Sequence, residues 1–84
     1  MNAPPLVAIR AFQISAKGQF DSESEVPSPC VSVCRMTPDR SRCEGCLRTL
    51  HEIRAWPRAS GAERRAIWAA LLRRAGVVLP KELE

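Results

Sequence analysis

The chain has 84 residues, a formal charge of +4 and four cysteines. A chain of this length holds at most one small domain, and such domains often need a metal ion, disulfides or a partner to stay folded. No segment has the apolar length that a membrane-crossing helix requires. The composition therefore predicts a single small domain that depends on a staple.

The first third of the chain has the composition of a flexible arm. Residues 1–29 contain four prolines, and residues 21–25 are a run of aspartate, serine and glutamate. Linkers and disordered segments share this composition. We therefore predict a disordered arm over 1–27, a folded domain over 28–76 and a short tail over 77–84. Residues 6–14 are apolar enough to dock as a short strand, although no second signal supports this.

The N-terminus lacks the pattern of a secretory signal, because its best apolar run, residues 6–9, is bounded by Pro5 and Arg10. We therefore expect a cytoplasmic protein whose cysteines meet a reducing environment, where metal binding is more frequent than a disulfide framework. The basic residues Arg10 and Lys17, with no acid in the first twenty positions, leave a transit peptide as an alternative.

The cysteines stand in two close pairs, C-x3-C at Cys30 and Cys34 and C-x2-C at Cys43 and Cys46. Two such pairs, separated by a short loop, can place four thiolates at the corners of one tetrahedron, as structural zinc requires. Gly45 suits a tight turn because glycine adopts positive φ without cost. The spacing predicts one zinc ion with four thiolate ligands, and such binding is typically worth about 10–16 kcal/mol.

Other interpretations compete with zinc. An iron–sulfur cluster can use the same four ligands, so it stays the alternative cofactor. A thioredoxin-like role for C-x2-C would need a βαβ context, which the sequence lacks. His51 could replace a cysteine as a ligand, but Leu50 and Ile53 define the buried side of its helix and leave His51 exposed.

Two helices follow the cysteines. Thr49 with Glu52, and Ser60 with Glu63, are capping boxes that predict helices over 50 to about 56 and over 61–75. Pro57 is expected to end the first helix at Trp56, and Gly76 to end the second. The predicted fold is small, mainly α and metal-stabilised, with a cysteine-rich loop followed by a short helix and a longer one.

Each predicted helix has an apolar side, and we expect these sides to close over one another and over the metal loop. The apolar residues are Leu50, Ile53 and Trp56 on the first helix and Ile67, Trp68, Leu71, Leu72 and Ala75 on the second.

Arginine dominates the charge of the folded segment. Residues 28–76 contain ten arginines against four acidic residues, and an anionic thiolate centre would neutralise part of this charge. We expect the exposed arginines to face an acidic protein or nucleic acid, and these candidates are Arg35, Arg40, Arg42, Arg48 and Arg58. A protein partner is favoured, because the arginines of the second helix form no single stripe and neither tryptophan is free for base stacking.

No acid–base pair, activated nucleophile or phosphate loop is evident, so the sequence favours a non-enzymatic module without a small-molecule substrate. Electron transfer or redox sensing through an iron–sulfur cluster is the alternative function.

Several segments carry a family resemblance: S-P-C-V-S-V-C at 28–34, C-E-G-C-L-R-T-L-H-E-I at 43–53, Trp56, and S-G-A-E-R-R-A at 60–66. Together they resemble a small bacterial family of domains of unknown function (number twelve-eighty-nine), whose members are described as predicted iron–sulfur proteins. The resemblance covers residues 28–75. It implies a bacterial cytoplasmic protein with the four cysteines as its signature, and it implies no specific function.

Overall fold

The structure, a computed structural model, describes residues 5–21, 26–30, 36–39, 41–43 and 45–83. Over these residues the fold is small and mainly α, as predicted. The α-helices are α1 (Leu6–Ala16), α2 (Leu50–Ala55) and α3 (Gly61–Ala75), and short 3-10 turns cover Gln19–Asp21, Trp56–Arg58 and Lys81–Leu83. None of the described helices combines the length and apolar character that crossing a bilayer would need.

The N-terminal segment differs most from its prediction. Helix α1 buries Val7, Ala11 and Ile14, and the 3-10 turn after it buries Phe20. The prediction of a disordered arm therefore does not hold for residues 5–21. The apolar stretch over 6–14, considered also as a short strand, lies in a helix. The physical reason is the spacing of Val7, Ala11 and Ile14 at i, i+4 and i+7, which gives α1 one apolar side.

Trp68 of α3 lies at the centre of the core and has no exposed surface. Its ring meets Phe20 edge to face, with the two ring centroids 5.3 Å apart, and its Nε1–H donates to the carbonyl oxygen of Pro27 at 2.8 Å. Both partners come from the part of the chain that was predicted to be an arm. The buried apolar residues are Val7, Ala11, Ile14, Phe20, Val26, Cys43, Cys46, Trp68, Ala69, Leu71, Leu72 and Leu83.

The starts of α2 and α3 are confirmed in detail. Thr49 with Glu52 and Ser60 with Glu63 form reciprocal capping boxes, and α3 ends at Gly76 in the left-handed conformation. Trp56 differs from its prediction, because it keeps helical φ and ψ and the chain continues through Pro57 as a 3-10 turn. Proline is tolerated there, since the first positions of a helical turn need no N–H donor.

The C-terminal segment packs against α1 before it ends. The Ser15 hydroxyl donates to the two carboxylate oxygens of Glu82 at 3.1 and 3.0 Å, and Leu83 is buried. The C-terminal segment therefore lies beside the C-terminal end of α1.

Candidate metal centre

Cys43 and Cys46 lie in one tight turn, and each is only 2 % exposed. The N–H of Leu47 donates to the carbonyl of Cys43, and the N–H of Cys43 donates to the carbonyl of Arg48, both at 2.8 Å. These two hydrogen bonds close the turn around the second cysteine pair, as the C-x2-C spacing predicts.

Leu47, directly after the second cysteine, has a φ of 62°. A residue with a side chain rarely adopts this left-handed conformation, so surrounding contacts must hold it. Besides the N–H bond to Cys43, its carbonyl accepts a 2.8 Å hydrogen bond from the Arg74 guanidinium, and its side chain packs against the core. A positive φ is expected at Gly45. This angle is defined with the carbonyl carbon of Glu44, which lies outside the residues that the structure describes.

Two isolated β-bridges flank the cysteine turn, and one of them reaches the start of α2. Met36 pairs with Cys43, and Arg42 pairs with Thr49, in antiparallel fashion. Because Thr49 is also the N-cap of α2, the cysteine turn leads into the helix without a free linker. The turn and α2 therefore form one local unit.

Asp39 closes the chain reversal that precedes Cys43. Its carboxylate accepts hydrogen bonds from the Thr37 hydroxyl at 2.6 Å, the Ser41 N–H at 3.1 Å and the Ser41 hydroxyl at 2.8 Å. These bonds, with the one from the Thr37 hydroxyl contributing most, lower the pKa of Asp39 to about 2. Asp39 is exposed, and its carboxylate already accepts hydrogen bonds from Thr37 and Ser41. We therefore assign it a structural role in the chain reversal that precedes Cys43.

The prediction that Arg48 is an exposed, partner-binding residue is wrong in its first part. Arg48 is only 6 % exposed. Its Nε–H donates to the sulfur of Cys46 at 3.2 Å, and its guanidinium carbon lies 5.5 Å from the centroid of the Trp56 ring. The fold turns Arg48 inward because a sulfur acceptor and an aromatic ring are both available to a cation there.

Two arginines of α3 hold the segment that follows the turn. Arg74 makes a bidentate pair with Glu52 at 2.7 and 3.0 Å, in addition to its bond to Leu47. Arg64 donates twice to the carbonyl of Trp56, at 3.1 and 3.0 Å, and its guanidinium lies 5.2 Å from the ring centroid. Much of the positive charge counted in the sequence therefore serves internal contacts.

The Glu52–Arg74 pair predicts a dependence of stability on pH. Burial would raise the pKa of Glu52, but the hydrogen bonds from Arg74 and from the N–H of Thr49 outweigh it and lower the pKa below its usual 4.5. Because the folded-state pKa is the lower one, this stabilisation is complete above pH 4.5 and is lost as the pH falls through the folded value. We expect Glu52→Gln to flatten this acid-side loss in urea titrations at stepped pH.

Glu63→Gln is the matched control for that measurement. Glu63 occupies the same capping position on α3, and its pKa is lowered by its bonds to Ser60 without an arginine partner. Glutamine can replace glutamate in a capping box, so both variants keep their helix starts. Identical pH profiles for the two variants would contradict a role for the Arg74 pair.

The first cysteine pair is only partly visible. Cys30 is half-buried, and its N–H donates to the Ser28 hydroxyl at 3.2 Å. Cys34 lies outside the described residues. Among the residues that are described, no three His, Cys, Asp or Glu side chains lie close enough together to hold a metal ion. The structure thus brings Cys43 and Cys46 together, and the four-cysteine site stays a prediction.

The remaining arginine candidates divide in two. Arg42 and Arg58 are exposed, as predicted, whereas Arg35 and Arg40 lie outside the described residues. Arg58 borders a shallow surface pocket of about 320 Å³ together with Arg54 and His51. His51 is exposed, as predicted.

A family model, described as a protein of unknown function (DUF1289), matches residues 28–75. This segment is more than half of the chain and contains the cysteine turn, α2 and α3. No curated protein and no solved structure matches the chain.

Proposed function

The chain belongs to the DUF1289 family of proteins of unknown function, and from its own residues we propose a small non-enzymatic metal-binding module. In this proposal Cys30, Cys34, Cys43 and Cys46 hold one zinc ion. The folded module then serves as an accessory that binds another protein.

One observation carries the proposal: Cys43 and Cys46 are both 2 % exposed within a turn closed by two backbone hydrogen bonds. Sulfur held in this way suits a structural zinc site, where the ligands are thiolates in a closed coordination shell. The contact of Arg48 with the Cys46 sulfur adds support, because it holds this sulfur in one position inside the protein.

The residues around the cysteines would fix the ends of such a site. Cys30 follows a segment that Trp68 holds through the carbonyl of Pro27, while Cys43 and Cys46 belong to the unit that leads into α2. A bound zinc ion supplies a cross-link and a positive charge among four thiolates. The proposed cytoplasmic location suits this chemistry, because a reducing compartment keeps thiols available as ligands.

The internal use of arginine favours a protein partner over nucleic acid. Arg48, Arg64 and Arg74 bind groups of the chain itself, so they are not available as a continuous phosphate-binding surface. Trp68 is fully buried, and Trp56 lies beneath guanidinium groups, so neither ring offers a free platform for a base. Exposed Arg42 and Arg58 are the proposed contacts to an acidic partner.

Metal content tests the proposal directly. Protein purified without chelators and under anaerobic conditions is expected to be colourless and to contain one equivalent of zinc, and Cys43→Ser is expected to lose it. Ala66→Ser, an exposed change on α3, is the control that should keep the metal. Brown protein that contains iron and sulfide would show that the cofactor is an iron–sulfur cluster and not zinc. Protein that contains no metal would overturn the proposal.

A further inference from the structure

We propose that Arg48 is a positioning residue of the metal centre, which orients the sulfur of Cys46 as a ligand through its Nε–H. This inference rests on the proposed metal-binding function and assigns a role that the ligand set alone does not contain.

The geometry of the contact is that of a charge-assisted hydrogen bond inside the protein. The Nε of Arg48 lies 3.2 Å from the sulfur of Cys46, and the two residues are 6 % and 2 % exposed. A guanidinium stays charged in proteins, and a buried charge is costly unless an opposite charge or a strong acceptor accompanies it. Among the described side chains, the sulfur of Cys46 accepts the hydrogen bond that the Arg48 guanidinium donates.

Residue 48 also holds the turn from its backbone. Its carbonyl accepts the N–H of Cys43, while its side chain returns to the sulfur of Cys46. One residue thus restrains both members of the C-x2-C pair. The contact with Trp56 fixes the guanidinium from another side.

These contacts match what outer-shell partners do in metal proteins. Such partners orient a ligand and tune its charge, and their removal typically lowers metal affinity about 10–100-fold. Arg64 provides an internal comparison, because it also lies over Trp56 but bonds to a carbonyl instead of a sulfur. The two arginines share the contact with Trp56, and of the two it is Arg48 that bonds to a sulfur.

The test is zinc competition with a chromophoric chelator at fixed pH and salt, on full-length wild-type, Arg48→Met, Arg48→Lys and Arg64→Met proteins. We expect Arg48→Met to bind zinc about 10–100-fold more weakly. Arg64→Met is expected to lose less affinity than Arg48→Met, because it loses its bonds to the Trp56 carbonyl but no contact with a ligand sulfur. Arg48→Lys should fall between, because lysine keeps the charge but not the directed donor of the guanidinium.

A second readout separates positioning from a general loss of stability. In zinc-loaded protein, peptide mass spectrometry after alkylation is expected to show faster modification of Cys46 in both Arg48 variants and an unchanged rate in Arg64→Met. If Arg48→Met does not fold, Arg48→Lys decides the question with both measurements.

The outcomes separate the two proposals. Wild-type protein that binds zinc, together with Arg48 variants that match Arg64→Met in affinity and alkylation rate, would overturn the role of Arg48 alone. Wild-type protein that binds no metal would overturn the metal-binding function and this role together.

Discussion

Cys46→Ser is expected to cost the chain most of its helical circular dichroism, although serine nearly matches cysteine in shape. A structural zinc ion contributes about 10–16 kcal/mol to folding, whereas a small domain has a total stability of only about 5–15 kcal/mol. Cys46 also belongs to the same buried cluster as the apolar residues of α1 and α3, so the loss should spread beyond the turn.

Under the proposed zinc binding, treatment with a chelator should reproduce this effect in the unmodified chain. We expect a strong chelator to abolish the helical signal of the wild-type protein and added zinc to restore it, while Ala66→Ser behaves as wild type throughout. Helical structure and a melting temperature unchanged in both Cys46→Ser and the chelated protein would contradict the organising role of the cysteine site.

Trp68→Ala is expected to destabilise the protein by about 3–5 kcal/mol, the usual cost of truncating a buried aromatic residue. The substitution removes a fully buried ring, its edge-to-face contact with Phe20 and the bond to the Pro27 carbonyl. The free energy of unfolding, measured by urea titration in the presence of added zinc, checks this value.

Two further substitutions show how much of the lost stability comes from the buried ring of Trp68 and how much from its Nε1–H. Trp68→Phe keeps an aromatic ring but removes the Nε1–H, so we expect a smaller loss than for alanine. Trp56→Ala should cost less than Trp68→Ala, because Trp56 is only partly buried. A change for Trp68→Ala within about 0.5 kcal/mol, as for an ordinary surface position, would contradict the central place of this ring.

The helices that the sequence predicts correctly are those with local start signals. The capping boxes at Thr49 and Ser60 act over three residues, so their pattern is visible without knowledge of the fold. Helix α1 has no such signal, since its N-cap is Pro5 and no side chain caps it. The apolar spacing of Val7, Ala11 and Ile14 indicates α1, whereas the proline-rich composition around it favours disorder.

The cysteine turn was predictable from spacing, but the arginines around it were not. Arg48 and Arg42 have the same side chain, yet one is buried and the other is exposed. The difference arises from where the turn places each residue relative to the Cys46 sulfur and Trp56, which are tertiary relations. A count of charges therefore overstates the positive surface that remains for a partner.

Helix α1 packs against the segment that the family match covers, although α1 itself lies outside that match. The family match begins at residue 28, but Phe20, which lies against Trp68, comes before it. Ala8 and Ala11 of α1 line one groove with Leu72 of α3. Residues outside the family match therefore cover part of the segment 28–75. We expect a relative without such a helix to cover the same side of α3 with a different segment or with a second protein.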